Sequence, residues 1–174
     1  MTPPPLVIRP ATERDLPGLM SVRPDRDVHC ERLARQEDGE WVYLIAAASG
    51  PPRIGGGGAV YGFVVLIWAG DEHHVGHPIL ADLRVRVGHR GRGLGTRLME
   101  RAEWLCRERG LPRIGLSVNP TDNPRAHALY LRRGYRPTPQ PPHCDIYTVL
   151  DGHGPPRFYE DWCICLVKDL TLSD

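Results

Sequence analysis

The segment Arg90-Gly91-Arg92-Gly93-Leu94-Gly95-Thr96 constrains this chain more than any other. It stands between an alternating apolar run that ends near Val87 and an amphipathic run that begins at Leu94. A strand that passes through glycines into a helix leaves the first N–H groups of that helix unpaired, and the helix dipole adds partial positive charge. Glycines there let the backbone close on phosphate oxygens with no Cβ in the way. The segment predicts a diphosphate-binding turn. A dinucleotide pattern G-x-G-x-x-G fails from Gly91, where the sixth residue is Thr96, and from Gly93, where it is Leu98. A P-loop fails because Thr96-Arg97 follows Gly95 where Lys-Ser/Thr is needed. R-x-x-G-x-G remains, on Arg90, Gly93 and Gly95.

Charge agrees with an anionic ligand held locally. Residues 84–136 carry 13 Arg against four acids, a net of +9, whereas the rest of the chain nets −8. These arginines are spread around helices instead of lining one periodic face with aromatics, so a nucleic-acid partner is not expected. Of the 22 basic residues only Lys168 is lysine, a bias that points to a GC-rich, bacterial source. The length fits one domain over residues 1–174, with a core that needs no disulfide staples.

Hydrophobic period predicts strands over residues 6–9, 41–46, 61–69, 79–87, 113–118, 145–150 and 161–168. Helices are predicted after Thr12, over 28–36 (stopped near Gly39), over 94–109 (stopped by Gly110) and from an Asn123-Pro124 start to Gly134. Residues 50–58, 137–142 and 151–160 read as connectors. The second to fourth strands follow one another with no helix between, which predicts an antiparallel meander inside an α/β fold.

Four segments in this order resemble the GCN5-related N-acetyltransferase (GNAT) superfamily. They are Leu83-x-Val85-x-Val87, the R-x-x-G-x-G turn, Leu116-Ser117-Val118-Asn119, and Asn123-x-x-Ala126-x-x-Leu129-Tyr130-x-x-x-Gly134-Tyr135. The resemblance implies a mixed, mostly antiparallel sheet of about seven strands flanked by about four helices, splayed between strands four and five. It implies acetyl-CoA as co-substrate, its pyrophosphate on Arg90, Gly91, Arg92, Gly93, Leu94, Gly95 and Thr96. The pantetheine arm would lie along Leu83, Val85 and Val87, with Asn119 and Asn123 positioning either the backbone or the cofactor. It implies direct transfer to a primary amine of a small molecule or peptide, with a non-catalytic acyl-CoA-binding sensor or partner domain, or a longer acyl donor, as the alternatives. Tyr130 matches the tyrosine that protonates the leaving thiolate, a core tyrosine on one helix face with Ala126 and Leu129 being the alternative. Asp82 is the best-placed carboxylate for the base, with Glu72 second. A cofactor contact and a helix cap are both open for Asn123, and an ion pair with a neighbouring arginine is the alternative for Asp82.

The resemblance puts the acceptor opposite the donor, where this chain is acidic (Asp25, Asp27, Glu31, Glu37, Asp38 and Glu40, then Asp145, Asp151, Glu160 and Asp161). Carboxylates there favour a cationic amine. Residues 151–160 are numerous enough to shape a pocket or meet a second copy, which leaves a homodimer open. His73, His74 and His77 crowd one loop, but without a fourth ligand they read as solvated and no metal is expected. The five cysteines show no zinc spacing and read as buried thiols. The N-terminus has no secretory pattern and no apolar run is long enough to span a bilayer, so the expected location is the cytoplasm, away from membranes.

Overall fold

The computed structural model describes residues 5–49, 59–149 and 157–171. β1 (Leu6–Pro10) leads through a 3-10 turn at Glu13–Asp15 into α1 (Leu16–Val22) and α2 (Arg26–Glu37). The meander β2 (Trp41–Ala48), β3 (Val60–Ile67) and β4 (Ile79–Val85) follows, then α3 (Leu94–Glu108), β5 (Arg113–Val118) and α4 (Pro124–Arg132). β6 (Arg136–Pro137), β7 (His143–Val149) and β8 (Arg157–Asp169) close the chain. The strands run β1-β2-β3-β4-β5-β8-β6, with β7 paired to β8.

Both faces of the meander are covered, which is why its strands read as near-continuous apolar runs. On one face Leu44, Ala46, Val64 and Leu66 pack with Leu98, Met99 and Ala102 of α3. On the other, Tyr43, Ile45, Val65 and Phe63 pack with Leu19 of α1 and Leu33 of α2. Thr12 opens a 3-10 turn ahead of α1, and α2 begins at Arg26, two residues before the predicted start. The Asp15 carboxylate accepts from the backbone N–H and hydroxyl of Thr12, and the Asp25 side chain accepts from the N–H of Val28 to cap α2.

The meander is antiparallel throughout, whereas β4 and β5 run parallel and register only at Ile79 and Gly115. Beyond that pair the two strands part. This is the splay the resemblance implied.

Three local expectations change. The described sheet has eight strands, because Arg136–Pro137 pairs with Val167 and Leu166 at the sheet edge, where a proline without an N–H is tolerated. β4 stops at Val85, and Val87 sits in a 3-10 turn with its side chain in solvent. β8 begins at Arg157, so residues 157–160 are strand and not connector. Residues 50–58 and 151–156 lie outside the described residues.

Candidate active site

α3 starts at the mouth of the splay. Gly93 is its N-cap, in the left-handed conformation (φ 75°) that a side chain would strain, and a Cβ there would stand in open space. The first intrahelical bond runs from the N–H of Arg97 to the Gly93 carbonyl at 3.0 Å, so the N–H groups of Leu94, Gly95 and Thr96 have no partner within the helix. Leu94 is buried and pins this end in the core, while Arg90, Gly91, Arg92 and Gly93 are exposed. A Cβ on Gly95 would meet Leu129 and Leu83 at ordinary contact distance. Arg90 turns back to donate to the Val85 carbonyl at 3.0 Å, which ties the turn to the end of β4. The result is a cradle of unpaired donors with cationic flanks, suited to a diphosphate.

Asp82 lies in β4 with a positive φ of 48°, unusual for a residue other than glycine. Its carboxylate accepts from Arg32 at 2.5 Å, Arg84 at 2.6 Å and Arg23 at 2.8 Å. Burial pushes its pKa up, but the hydrogen bonds and charges of Arg84 and Arg32 outweigh that and hold it below the usual carboxylate range. A carboxylate held by three guanidinium groups accepts a proton poorly. This geometry favours the ion-pair reading over the base, and Glu72 stands in solvent beside His73. Arg23 and Arg32 were not singled out from the sequence. One signal was available: Arg32 shares a stripe of α2 with the buried His29 and Leu33, and a charge on a buried stripe needs a partner.

Tyr130 packs against the main core beside Leu83 and Leu129. Burial, then the charge of Asp82, pushes its phenol up to about 12, so it carries its proton at neutral pH. The two asparagines differ. Asn119 is buried and its side chain is fully engaged: the amide donates to Asp161 at 2.7 Å and Asp122 at 3.2 Å, and the carbonyl accepts from the N–H groups of Thr121 and Asp122. Asn123 occupies the N-cap of α4 but makes no side-chain capping bond, and it is exposed.

β7 and β8 add groups near this point. Asp145, Tyr147, Tyr159 and Asp161 belong to facing pairs of one side of that hairpin. The Tyr159 hydroxyl donates to Asp122, and burial followed by the charges of Asp145 and Asp161 raises the Tyr147 phenol. Tyr147 also feels Asp82, which joins this face electrostatically to β4.

The three loop histidines part in two directions, with His74 and His77 edge to face, ring centroids 5.3 Å apart. His74 is buried against β5, its Nε2 3.1 Å from the Ser117 hydroxyl, and burial pushes its pKa down to about 4. A Cβ on Gly115 would meet its Nδ1 at 2.5 Å, so β5 needs glycine there. His73 turns instead to stack on His143 of β7.

Residues 12–135 match the model of the acetyltransferase (GNAT) family. The chain is similar to the streptothricin acetyltransferase of Streptomyces lavendulae, with 33% identity over 82 residues that cover 47% of this chain and 41% of that protein. It is also similar to YxbD of Bacillus subtilis (strain 168), 49% identical over 45 residues, 26% of this chain and 28% of that one. The matched stretches thus span less than half of either relative. The fold is shared with the PaiA N-acetyltransferase of Thermoplasma acidophilum, solved in complex with coenzyme A (TM-score 0.66, 14% identity, 95% of this chain and 99% of that chain). It is shared as well with the ribosomal-protein-S18-alanine N-acetyltransferase of Escherichia coli (TM-score 0.69, 16% identity, 98% and 97%).

Proposed function

This chain belongs to the GNAT acetyltransferase family, and from that premise we propose that it moves an acetyl group from acetyl-CoA directly to a primary amine. The observation that carries the proposal is the start of α3 at the mouth of the β4–β5 splay, where unpaired N–H groups follow a left-handed Gly93. Acetyl-CoA supplies the activated acyl thioester. The N–H groups of Leu94, Gly95 and Thr96, with Arg90 and Arg92 beside them, would hold its pyrophosphate, and the open edge of β4 near Leu83 would take the pantetheine arm. Exposed Asn123 is free to contact the cofactor, whereas Asn119 organises the turn after β5.

In the transfer, the amine nitrogen bonds to the carbonyl carbon, the carbon–sulfur bond breaks, and its electron pair stays on sulfur. Tyr130 gives the sulfur its proton, and the proton that the amine releases returns to the phenolate through solvent. Asp82 acts as the anchor of the α1–α2 junction, through Arg23 and Arg32, and not as the base. The acceptor approaches past Tyr147, Asp145 and Asp161, whose carboxylates favour a cationic amine. The similarity to streptothricin acetyltransferase supports a small-molecule acceptor. Among the described residues no helix is long and apolar enough to cross a membrane.

The test is thiol release from acetyl-CoA and longer acyl-CoAs across a panel of small amines, polyamines and peptides. Acetyl-CoA consumption that depends on a small cationic amine is the expected result. Tight coenzyme A binding with no thiol release across the panel would instead make the chain an acyl-CoA sensor.

A further inference from the structure

Away from the donor cradle, two imidazoles and a carboxylate meet between the loop before β4 and strand β7. The rings of His73 and His143 stack with centroids 3.6 Å apart and planes 16° from parallel. Asp145 lies two residues along β7, on the same side of the strand, with Oδ2 3.7 Å from Nε2 of His143. One ligand atom from each of the three lies within 4.8 Å of the others. Two ligands on a common tetrahedral ion, at zinc–nitrogen and zinc–oxygen distances of about 2.0–2.2 Å, stand roughly 3.3–3.5 Å apart. The ligand atoms are thus close to coordination spacing, but the in-plane lone pairs of stacked rings do not converge, so binding requires one imidazole to turn out of the stack.

The surroundings fix each group. The Asp71 carboxylate accepts from the N–H groups of His73 and His74, at 2.9 and 2.8 Å, and His74 is sunk into β5, so the His73 backbone is held from both sides. Nδ1 of His143 faces the buried Cys165 thiol at 3.8 Å, which leaves Nε2 turned toward Asp145. A metal-bound histidine ordinarily has its second nitrogen engaged in this way. His73 also borders an open cavity of about 770 Å³ that His77, Arg113 and Arg136 share.

We propose that His73, His143 and Asp145 form a binding site for a divalent transition metal of the zinc type, with the fourth position open to water. Two imidazoles with one carboxylate select such ions over Mg²⁺ and Ca²⁺, which prefer all-oxygen shells. Coordination would cross-link the loop that leads into β4 to the hairpin that bears Tyr147 and Asp161, and so fix the position of that hairpin. The site stands on these three residues and holds whether or not the chain transfers acetyl groups.

Co²⁺ titrated into the full chain reads the site directly, since a four-coordinate cobalt site absorbs in the visible. The expected result is one saturable equivalent, displaced by Zn²⁺ and untouched by Mg²⁺. His143→Ala and His73→Gln should lose that band, and Asp145→Asn should bind at least tenfold more weakly. His77→Ala, outside the triad, should bind as the parent does. If His143→Ala does not fold, the more exposed positions 73 and 145 carry the test. No saturable cobalt or zinc in the parent, or equal binding in the parent and in both His73→Gln and Asp145→Asn, overturns the proposal.

Discussion

Arg32 and Asp82, fifty residues apart, meet in a 2.5 Å ion pair with their side chains only 10% and 19% exposed. The Arg32 guanidinium also lies over the rings of Tyr43 and Phe63, so α2 is tied to the centre of the meander at this point. Removing one partner of a buried pair leaves the other charge uncompensated. Asp82→Asn is expected to lower stability by about 3–5 kcal/mol, read as a shift in the urea midpoint at neutral pH. Because the folded pKa of Asp82 is depressed, its contribution is complete above the unfolded value of about 3.9 and is lost as pH falls through the folded value. Urea midpoints measured from pH 7 down to pH 2.5 should therefore fall in acid, and less steeply in Asp82→Asn.

Tyr130 carries the second prediction. General-acid assistance is worth on the order of 10²–10⁴-fold, so Tyr130→Phe should lower kcat by at least about 10²-fold and leave the KM for acetyl-CoA nearly unchanged. With its phenol pushed up to about 12, the parent should show no loss of activity from Tyr130 ionisation below about pH 11. A pH–rate profile with both proteins checks this. Full activity in the phenylalanine variant would remove Tyr130 from the reaction.

At the donor turn, Gly93→Ala forces a side chain into the left-handed region, at a cost of about 1–2 kcal/mol, and points a methyl at the phosphate site. The KM for acetyl-CoA should rise on the order of tenfold or more, equivalent to about 1.4 kcal/mol of binding. Isothermal titration with coenzyme A separates this binding loss from the smaller loss of stability.

A fourth prediction concerns the core behind that turn. Lys168 donates to Glu103 at 2.9 Å, and Arg133 and the Tyr135 hydroxyl donate to the same carboxylate at 3.1 and 3.2 Å. Glu103→Ala should cost about 3–5 kcal/mol in chemical denaturation, while the acetyl-CoA KM of the folded fraction stays at the parent value.

Segments with strong local signals were legible in the sequence. The period of residues 94–109, the stop at Gly110 and the Pro124 start gave α3 and α4 to within a residue, and the glycine spacing marked the turn that opens α3. The parts that escaped depend on long-range contact. Nothing local pairs Asp82 with Arg23 or Arg32, so the base and an ion pair with a neighbouring arginine stood side by side in the sequence. The motif left Asn119 to position either backbone or cofactor, and its bond to Asp161, forty-two residues on, was not visible in it. His73 looked solvated among its neighbours because His143 is brought beside it only by the return of β7. Pro137 argued against a strand that its edge position allows.

The central claim is that the α3 cradle and Tyr130 serve transfer of an acetyl group from acetyl-CoA to an amine. Its most direct test is thiol release from acetyl-CoA by the purified chain across the amine panel, with Gly93→Ala and Tyr130→Phe alongside. The account predicts amine-dependent release by the parent, a raised KM for acetyl-CoA in the first variant and a lowered kcat in the second. Amine-dependent release that neither variant alters, or none from the parent with any amine, would contradict it.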